Sequence, residues 1–328
     1  MQAIISGIDH YLPEQRLTNE DLEKMVNTSD EWITTRTGIK ERRILDKDKG
    51  SSFMAYHAAK KLLESKNMDP DELDLIIIAT VTPDMPVPIT AAFVQHLLGA
   101  KKCWGFDINA GCCSFIFSLI SACKFIESGS HKKVMVIGSD KMSSIMNYED
   151  RNTCIIFGDA AAAVLLEPSE DENLGILDYI HHIDGSGANN IIVPGGGSLY
   201  PATHETVDKK IHFVHQEGRI VYKSAVRGMG NVTTEILEKN NLTADDVTLL
   251  VPHQANKRII DATAKRVGLD PDKVAINIDK YGNTTSASIP LAMSEAYIDK
   301  RIKKGDYIVL SAFGAGYTWG SILLRWAL

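Results

Sequence analysis

Short runs of β-branched and aliphatic residues alternate with helical patterns along nearly the whole chain. LIIIA (75–79), VMVI (134–137), VTLLV (247–251) and YIVL (307–310) are near-continuous apolar runs, the pattern of strands covered on both faces. Between them the spacing predicts helices over 19–26 behind Thr18, 53–64 behind Ser52, 224–238, 255–267 and 286–299, the last capped by Ser286. Gly99, Gly129 and Gly268 each follow an apolar-periodic stretch, the place of a helix-ending glycine. Alternation of the two patterns predicts an α/β protein with a mainly parallel sheet.

The pattern also repeats. MDPDELDLIIIAT (68–80) pairs with LTADDVTLLVPHQ (242–254), HKKVMVIGSD (131–140) with KKGDYIVLSAFG (303–314), and AAAAVLLEP (160–168) with GSILLRWAL (320–328). A recurrence at such long spacing predicts two related α/β halves. The acidic stretch SEDENLG (169–175) is the expected junction, dividing the chain into 1–172 and 173–328. A chain of 328 residues is also longer than one hydrophobic core usually grows. The polar loop 184–210 is long enough to act as a cap over something.

Composition narrows the class without naming it. Hydrophobic residues at 44% and charged residues at 23% are those of an ordinary globular protein. A net charge of −7 argues against nucleic-acid binding, and no apolar run approaches a membrane span. Five cysteines without CxxC spacing, and an opening MQAIISGIDHYLP unlike a secretory leader, predict a reduced cytoplasmic protein with free thiols.

The densest chemistry lies in KKCWGFDINAGCCSFIFSLISACKFIESG. A strand-like CWGFDI passes through Ala110 and Gly111 into Cys112 and a helix apolar around most of its circumference. Cys112 thus stands at a helix start, where unpaired N–H groups and the helix dipole favour a thiolate. Cys113 is its neighbour, and spacing alone does not separate the two thiols. Cys103, Cys123 and Cys154 sit within apolar runs as packing residues. His253 in LLVPHQAN emerges at the carboxyl end of a buried strand, where catalytic groups collect in open α/β sheets. Asn283 follows Gly282 in a turn, and is a second neutral donor beside His253. HETVD (204–208) lacks the second histidine of a zinc motif, and nothing implies a metal. The string AFGAGYTWG runs into strand-like SILL, so it reads as a tight loop offering backbone N–H groups, not a dinucleotide site. A cysteine hydrolase is the rival of a different class, and the lack of a carboxylate beside His253 argues against it.

Taken in order, SDEWITTRTGIKERRI (29–44), DINAGCCSF, DRNTCIIFGDAAAAVLLEP, VPHQAN, YGNTTSASIP and AFGAGYTWG resemble the blocks of β-ketoacyl-acyl-carrier-protein synthase III, the initiating condensing enzyme of type II fatty-acid synthesis. The resemblance runs end to end, and the register from Asp107 selects Cys112 over Cys113. It implies the thiolase fold, two duplicated halves with a five-layered αβαβα core, and a homodimer. Its substrates are an acyl-CoA primer and malonyl-acyl-carrier protein, with no cofactor. Cys112 is then the acyl-carrying nucleophile, and His253 Nε2–H and Asn283 are the enolate donors. Backbone N–H groups of Cys112 and near Ala315 form the oxyanion site. Trp32 and Arg36 are expected to hold the CoA adenine with Arg151 on its other side, and Thr28, Tyr222 and Asn256 to follow along the channel.

Phe157, Val87 and Ser114 are the expected acyl-pocket residues. Ser114, Ala160 and Ala162 stand where the family usually has glycine. Val87 occupies a position that tends to be aromatic in acetyl-preferring members, so broader primer tolerance is expected. Lys257 and Arg258 are candidates for docking the acidic carrier. The nearest alternative within the same fold is an enzyme loading a starter unit in a polyketide or quinolone type pathway.

Overall fold

The computed structural model describes residues 1–328. Its first sheet contains β1 (Gln2–Tyr11), β2 (Leu75–Ala79), β3 (Trp104–Ile108), β4 (Val134–Lys141) and β5 (Asp159–Ser169), in spatial order β1-β5-β4-β2-β3. The pairs β4–β2 and β2–β3 are parallel, while β1 and β5 run antiparallel to their neighbours. The second sheet contains β6 (Gly175–Ile183), β7 (Leu249–Pro252), β8 (Tyr307–Gly314) and β9 (Thr318–Arg325), in order β7-β8-β9-β6. Here β7–β8 is parallel and the other pairs antiparallel. An isolated parallel bridge between Leu250 and Val274 marks where a fifth strand would lie.

The three repeated sequence pairs occupy matching places: β2 with β7, β4 with β8, and β5 with β9. Residues 170–174 carry the chain from β5 in the first sheet to β6 in the second. The sheets are therefore mixed, with antiparallel strands added to a parallel centre, and less parallel than the strand pattern suggested.

Seven longer helices complete the layers: α1 (Asp30–Thr37), α2 (Ser51–Ser65), α3 (Thr90–Leu98), α4 (Ser114–Glu127), α5 (Gly218–Lys239), α6 (Lys257–Val267) and α7 (Ser288–Ile298). α2 and α3 cover the outer face of the first sheet, and α5 covers that of the second with α6 beside it. α4 and α7 lie between the sheets and touch both. That gives the five layers αβαβα of the thiolase fold.

The middle layer explains the unusual composition of its helices. Phe115, Ile116, Leu119, Ala122 and Ile126 of α4 are all buried, against Val136 and Val164 on one side and Leu310 and Ile322 on the other. Each large apolar side chain so buried contributes about 1.5–3 kcal/mol relative to exposure. A helix meeting a sheet on either side has no polar face to show.

Several local expectations need correction. α2 begins at Ser51 with Gly50 as its cap, and Ser52 instead bonds Asp84 through both its N–H and its hydroxyl. Ser286 caps nothing: α7 starts at Ser288, and the Ser286 N–H donates to Asp140. α5 starts at Gly218, six residues before the predicted 224: its first turn opens on a glycine and carries Ile220 half exposed, so it does not continue the apolar stripe from which periodicity places a helix. The cap loop has its own structure, a 3-10 turn over Gly185–Asn190, a strand pair Ile191–Ile192 with His215–Gln216, and a short helix His204–Asp208.

Candidate active site

The turn after β3 presents the two cysteines differently. Gly111 has φ +60°, a conformation side chains rarely adopt, and a β-carbon there would lie 2.7 Å from the Ala315 amide nitrogen. A β-carbon at Gly314 would lie 2.5 Å from the Cys112 nitrogen. The two glycines let the loop between β8 and β9 close onto the nucleophile turn, bringing the Cys112 and Ala315 backbones together. Thr318 Oγ1 fastens this contact by donating to Ala110 O at 2.8 Å. Cys113 is fully buried and its thiol points at Thr318 O, 3.3 Å away, whereas Cys112 lines a cavity. Geometry thus separates thiols that spacing could not.

One electrostatic expectation is reversed. Burial pushes the Cys112 thiol well above its ordinary pKa, and the neighbouring Cys113 and Asp140 push the same way. Cys113 is raised to about 12, again by burial. The helix start does not outweigh desolvation, so resting Cys112 is a thiol.

His253 follows β7 and is held by its N–H donating to Ser311 O of β8 at 2.8 Å. Burial alone, with no charged partner, lowers its pKa to about 3, so the imidazole is neutral at physiological pH. Its Nδ1 lies 2.7 Å from Ser288 Oγ. Asn283 is anchored by main chain, its N–H to Ile156 O at 2.9 Å and its C=O from the Gly158 N–H at 3.1 Å. Its Oδ1 accepts the Thr285 N–H at 2.9 Å, which leaves the amide NH₂ for the cavity. Thr285 has φ +50°, rare for a β-branched residue and costing about 1–3 kcal/mol.

The cavity holding these groups has a volume of about 1110 Å³. Cys112, His253, Asn283 and Ala315 line it, with Val81, Met142, Ile145, Phe157 and Val214 forming an apolar flank. It extends to Trp32 and Arg36 on α1 and Tyr222 and Arg258 on α5 and α6. Arg36 and Arg151 each place their guanidinium 4.9 Å from the Trp32 ring centre, so both contact the indole. Arg151 also donates to Asn27 O at 2.8 Å. Asn256 caps α6 by accepting the Arg258 N–H, and its Nδ2 donates to Arg36 O, tying α6 to α1.

Five predicted residues lie off the cavity wall. Ser114 turns its hydroxyl back into the nucleophile turn, accepting the Ala110 N–H at 2.9 Å and donating to Gly111 O at 2.6 Å, so it is a staple and not a pocket residue. Val87 is 81% exposed on a loop away from its own chain's cavity. Lys257 pairs with Asp261 at 2.7 Å, leaving Arg258 as the freer cation. Thr28 precedes α1, with its hydroxyl buried and unpartnered, and Arg151 reaches the site only through Trp32. Of the apolar flank only Phe157 was expected from the sequence; sequence reasoning missed Val81, Met142, Ile145 and Val214, Arg219 at the cavity mouth, and the supporting Asp140, Thr285 and Ser288. Only Asp140 had a signal, an acid ending a buried strand.

Comparison with known proteins gives a consistent result. A family model described as 3-Oxoacyl-[acyl-carrier-protein (ACP)] synthase III matches residues 106–185, and its C-terminal counterpart matches residues 237–326. The chain is 54% identical over 328 residues to a beta-ketoacyl-[acyl-carrier-protein] synthase III of Chlorobium chlorochromatii, covering 99% of this chain and 100% of the relative. It is 53% identical over 327 residues to that of Koribacter versatilis, covering 99% and 98%. The crystal structure of 3-oxoacyl-[acyl-carrier-protein] synthase III from Aquifex aeolicus superposes with a TM-score of 0.91 at 46% identity, covering 99% and 100%.

Proposed function

The chain belongs to the β-ketoacyl-acyl-carrier-protein synthase III family, acyltransferase-type condensing enzymes that initiate fatty-acid synthesis, and on that premise we propose how its residues share the reaction. The observation carrying this reading is that Cys112, His253 and Asn283, from three separate segments, line one cavity that continues to Trp32 and Arg36.

Cys112 loses its thiol proton and attacks the carbonyl of an acyl-CoA thioester. The Cys112 and Ala315 N–H groups face the oxyanion, and CoA leaves with the carbon–sulfur electron pair and takes up a proton. Malonyl-acyl-carrier protein then enters and loses CO₂, and the electron pair of the broken bond passes to an enolate. His253 Nε2–H and the Asn283 amide stabilise the enolate oxygen, each donor contributing ~2.7–4 kcal/mol. The carbanion attacks the acyl-Cys112 carbonyl, and the sulfur departs with its electron pair and is reprotonated. The adenine of CoA stacks at Trp32 between Arg36 and Arg151, with Thr28, Tyr222 and Asn256 further along.

A homodimer suits the surface. Strand β3 ends the first sheet with its outer edge unpaired, Trp104 on it is 48% exposed, and Val87, Ile89 and Leu97 lie exposed as well. Sedimentation reads this state directly. Val87, small for its position, then meets the partner's acyl pocket and widens the range of primers. Arg258 meets the acidic carrier, which a charge reversal read in KM would test. Five free cysteines suit a reducing cytoplasm, and no helix is long and apolar enough to cross a membrane.

Intact mass spectrometry after mixing with acetyl-, isobutyryl- and longer acyl-CoAs tests the central assignment. The expected result is one acyl adduct per chain, absent in Cys112→Ala, with branched primers loading at least as well as acetyl. An adduct that persists in Cys112→Ala would sink the assignment of the nucleophile.

A further inference from the structure

A neutral imidazole carries one N–H, and the nitrogen that bears it decides whether His253 meets the cavity as donor or acceptor. The only side chain bonded to the His253 ring is Ser288, with Nδ1 at 2.7 Å from Ser288 Oγ. Ser288 Oγ also lies 2.8 Å from Thr285 O. One hydroxyl proton therefore has two acceptors within reach. They differ in need. Thr285 O already accepts the backbone N–H of Ser288, so the hydroxyl proton can leave it without orphaning a buried carbonyl. Nδ1, once unprotonated, has no other donor.

The same turn sets the neighbouring donor. Thr285, at φ +50°, directs its N–H onto Asn283 Oδ1, and the Asn283 NH₂ is left facing the cavity. We infer that Ser288 is a positioning residue whose hydroxyl donates to His253 Nδ1 and so keeps the ring proton on Nε2, completing with Asn283 a pair of donors aimed at the enolate oxygen. No bond to substrate passes through Ser288. The inference rests on the role proposed for His253 above.

Two measurements test it, one needing no change to the hydrogen-bond chain. In ¹⁵N-histidine NMR of the intact enzyme, with His253 identified by difference from His253→Gln, Nε2 is expected to be protonated and Nδ1 bare. A protonated Nδ1 overturns the inference whether or not any Ser288 variant folds. The second measurement separates half-reactions, following single-turnover acylation of Cys112 and decarboxylation of malonyl-carrier protein independently. Ser288→Ala is expected to lower the decarboxylation kcat about ten- to a hundredfold with little change in KM, to spare acylation, and to be rescued by Ser288→Thr. Equal loss in both half-reactions, or loss of acylation alone, overturns it. If His253→Gln itself leaves decarboxylation intact, the role of His253 fails and the inference falls with it.

Discussion

Each half of the molecule sends a turn into a helix of the middle layer, and the two turns carry complementary parts of the chemistry. Residues 109–114 lead into α4 and 282–288 into α7, and both helices start without a side-chain cap, at Cys113 and Ala287. Both turns need a left-handed glycine, Gly111 at φ +60° and Gly282 at φ +66°. Beyond that they are held in different ways. The nucleophile turn bonds largely to itself, through Ser114 to Ala110 and Gly111, with Thr318 at the start of β9 as its one distant hydrogen-bond partner. The enolate turn is bonded to distant chain, at Asp140 in β4, at Ile156 and Gly158 before β5, and at His253 after β7. A locally closed turn depends on its own sequence, whereas an assembled one depends on four segments staying in register. Substitutions far from the reaction should therefore disturb condensation before they disturb acylation.

The largest test of that contrast substitutes one reacting group from each turn. Asn283→Ala removes one enolate donor and is expected to slow condensation by about 10²–10³ while leaving acyl-enzyme formation near its normal rate. Cys112→Ala is expected to abolish acyl-enzyme formation altogether. Single-turnover kinetics with acyl-CoA, followed by malonyl-carrier protein, separates the two. Equal damage to acylation in Asn283→Ala would mean that the turns do not divide the reaction.

Asp140 offers a smaller, two-sided test. It is fully buried, and its carboxylate accepts the Ser286 N–H at 2.9 Å, the Val81 N–H at 2.7 Å, and the Thr80 and Thr82 hydroxyls. Asp140→Asn places an NH₂ among groups that donate, and is expected to cost about 1–3 kcal/mol of stability. Loosening the enolate turn should slow condensation roughly tenfold, about 1.4 kcal/mol of barrier. The nucleophile should respond in the opposite sense. The Asp140 charge helps to raise the Cys112 pKa, so its removal lowers that pKa, increases the thiolate fraction at pH 7 and speeds iodoacetamide alkylation. If alkylation and condensation slow together, Asp140 serves the two turns alike and the contrast is wrong.

The same distinction governs how much was legible in the sequence. The repeated strand runs, the thiol at a helix start and the histidine at a strand end are features of single segments, and periodicity or position exposes them. The five layers became an expectation only through the family resemblance, since local patterning does not say which sheet face a helix covers. Ser286 was misread as a cap because a serine before a helix is usually one, and its real partner Asp140 is 146 residues away. Ser288 gave no signal, since nothing local distinguishes a helical serine that meets a histidine from 35 residues upstream. The thiolate expectation failed for a related reason. The helix start was visible, but the desolvation that outweighs it belongs to the folded cavity.

The smallest expected effect falls on the self-contained turn. Ser114→Ala deletes only the hydroxyl that links the Ala110 N–H and Gly111 O. One neutral hydrogen-bonding group of this kind contributes ~1 kcal/mol, corresponding to a Tm lowered by about 2 °C in a domain of this size. Because Ser114 is fully buried and turned away from the cavity, the ratio of kcat/KM for isobutyryl-CoA to that for acetyl-CoA should stay within about twofold, well under the ~1–3 kcal/mol by which one methylene is discriminated. Acylation and condensation should also fall together, if at all, because the staple supports the thiol used in both. A shift in primer preference would instead place Ser114 against the acyl chain, and the turn would no longer be a local device.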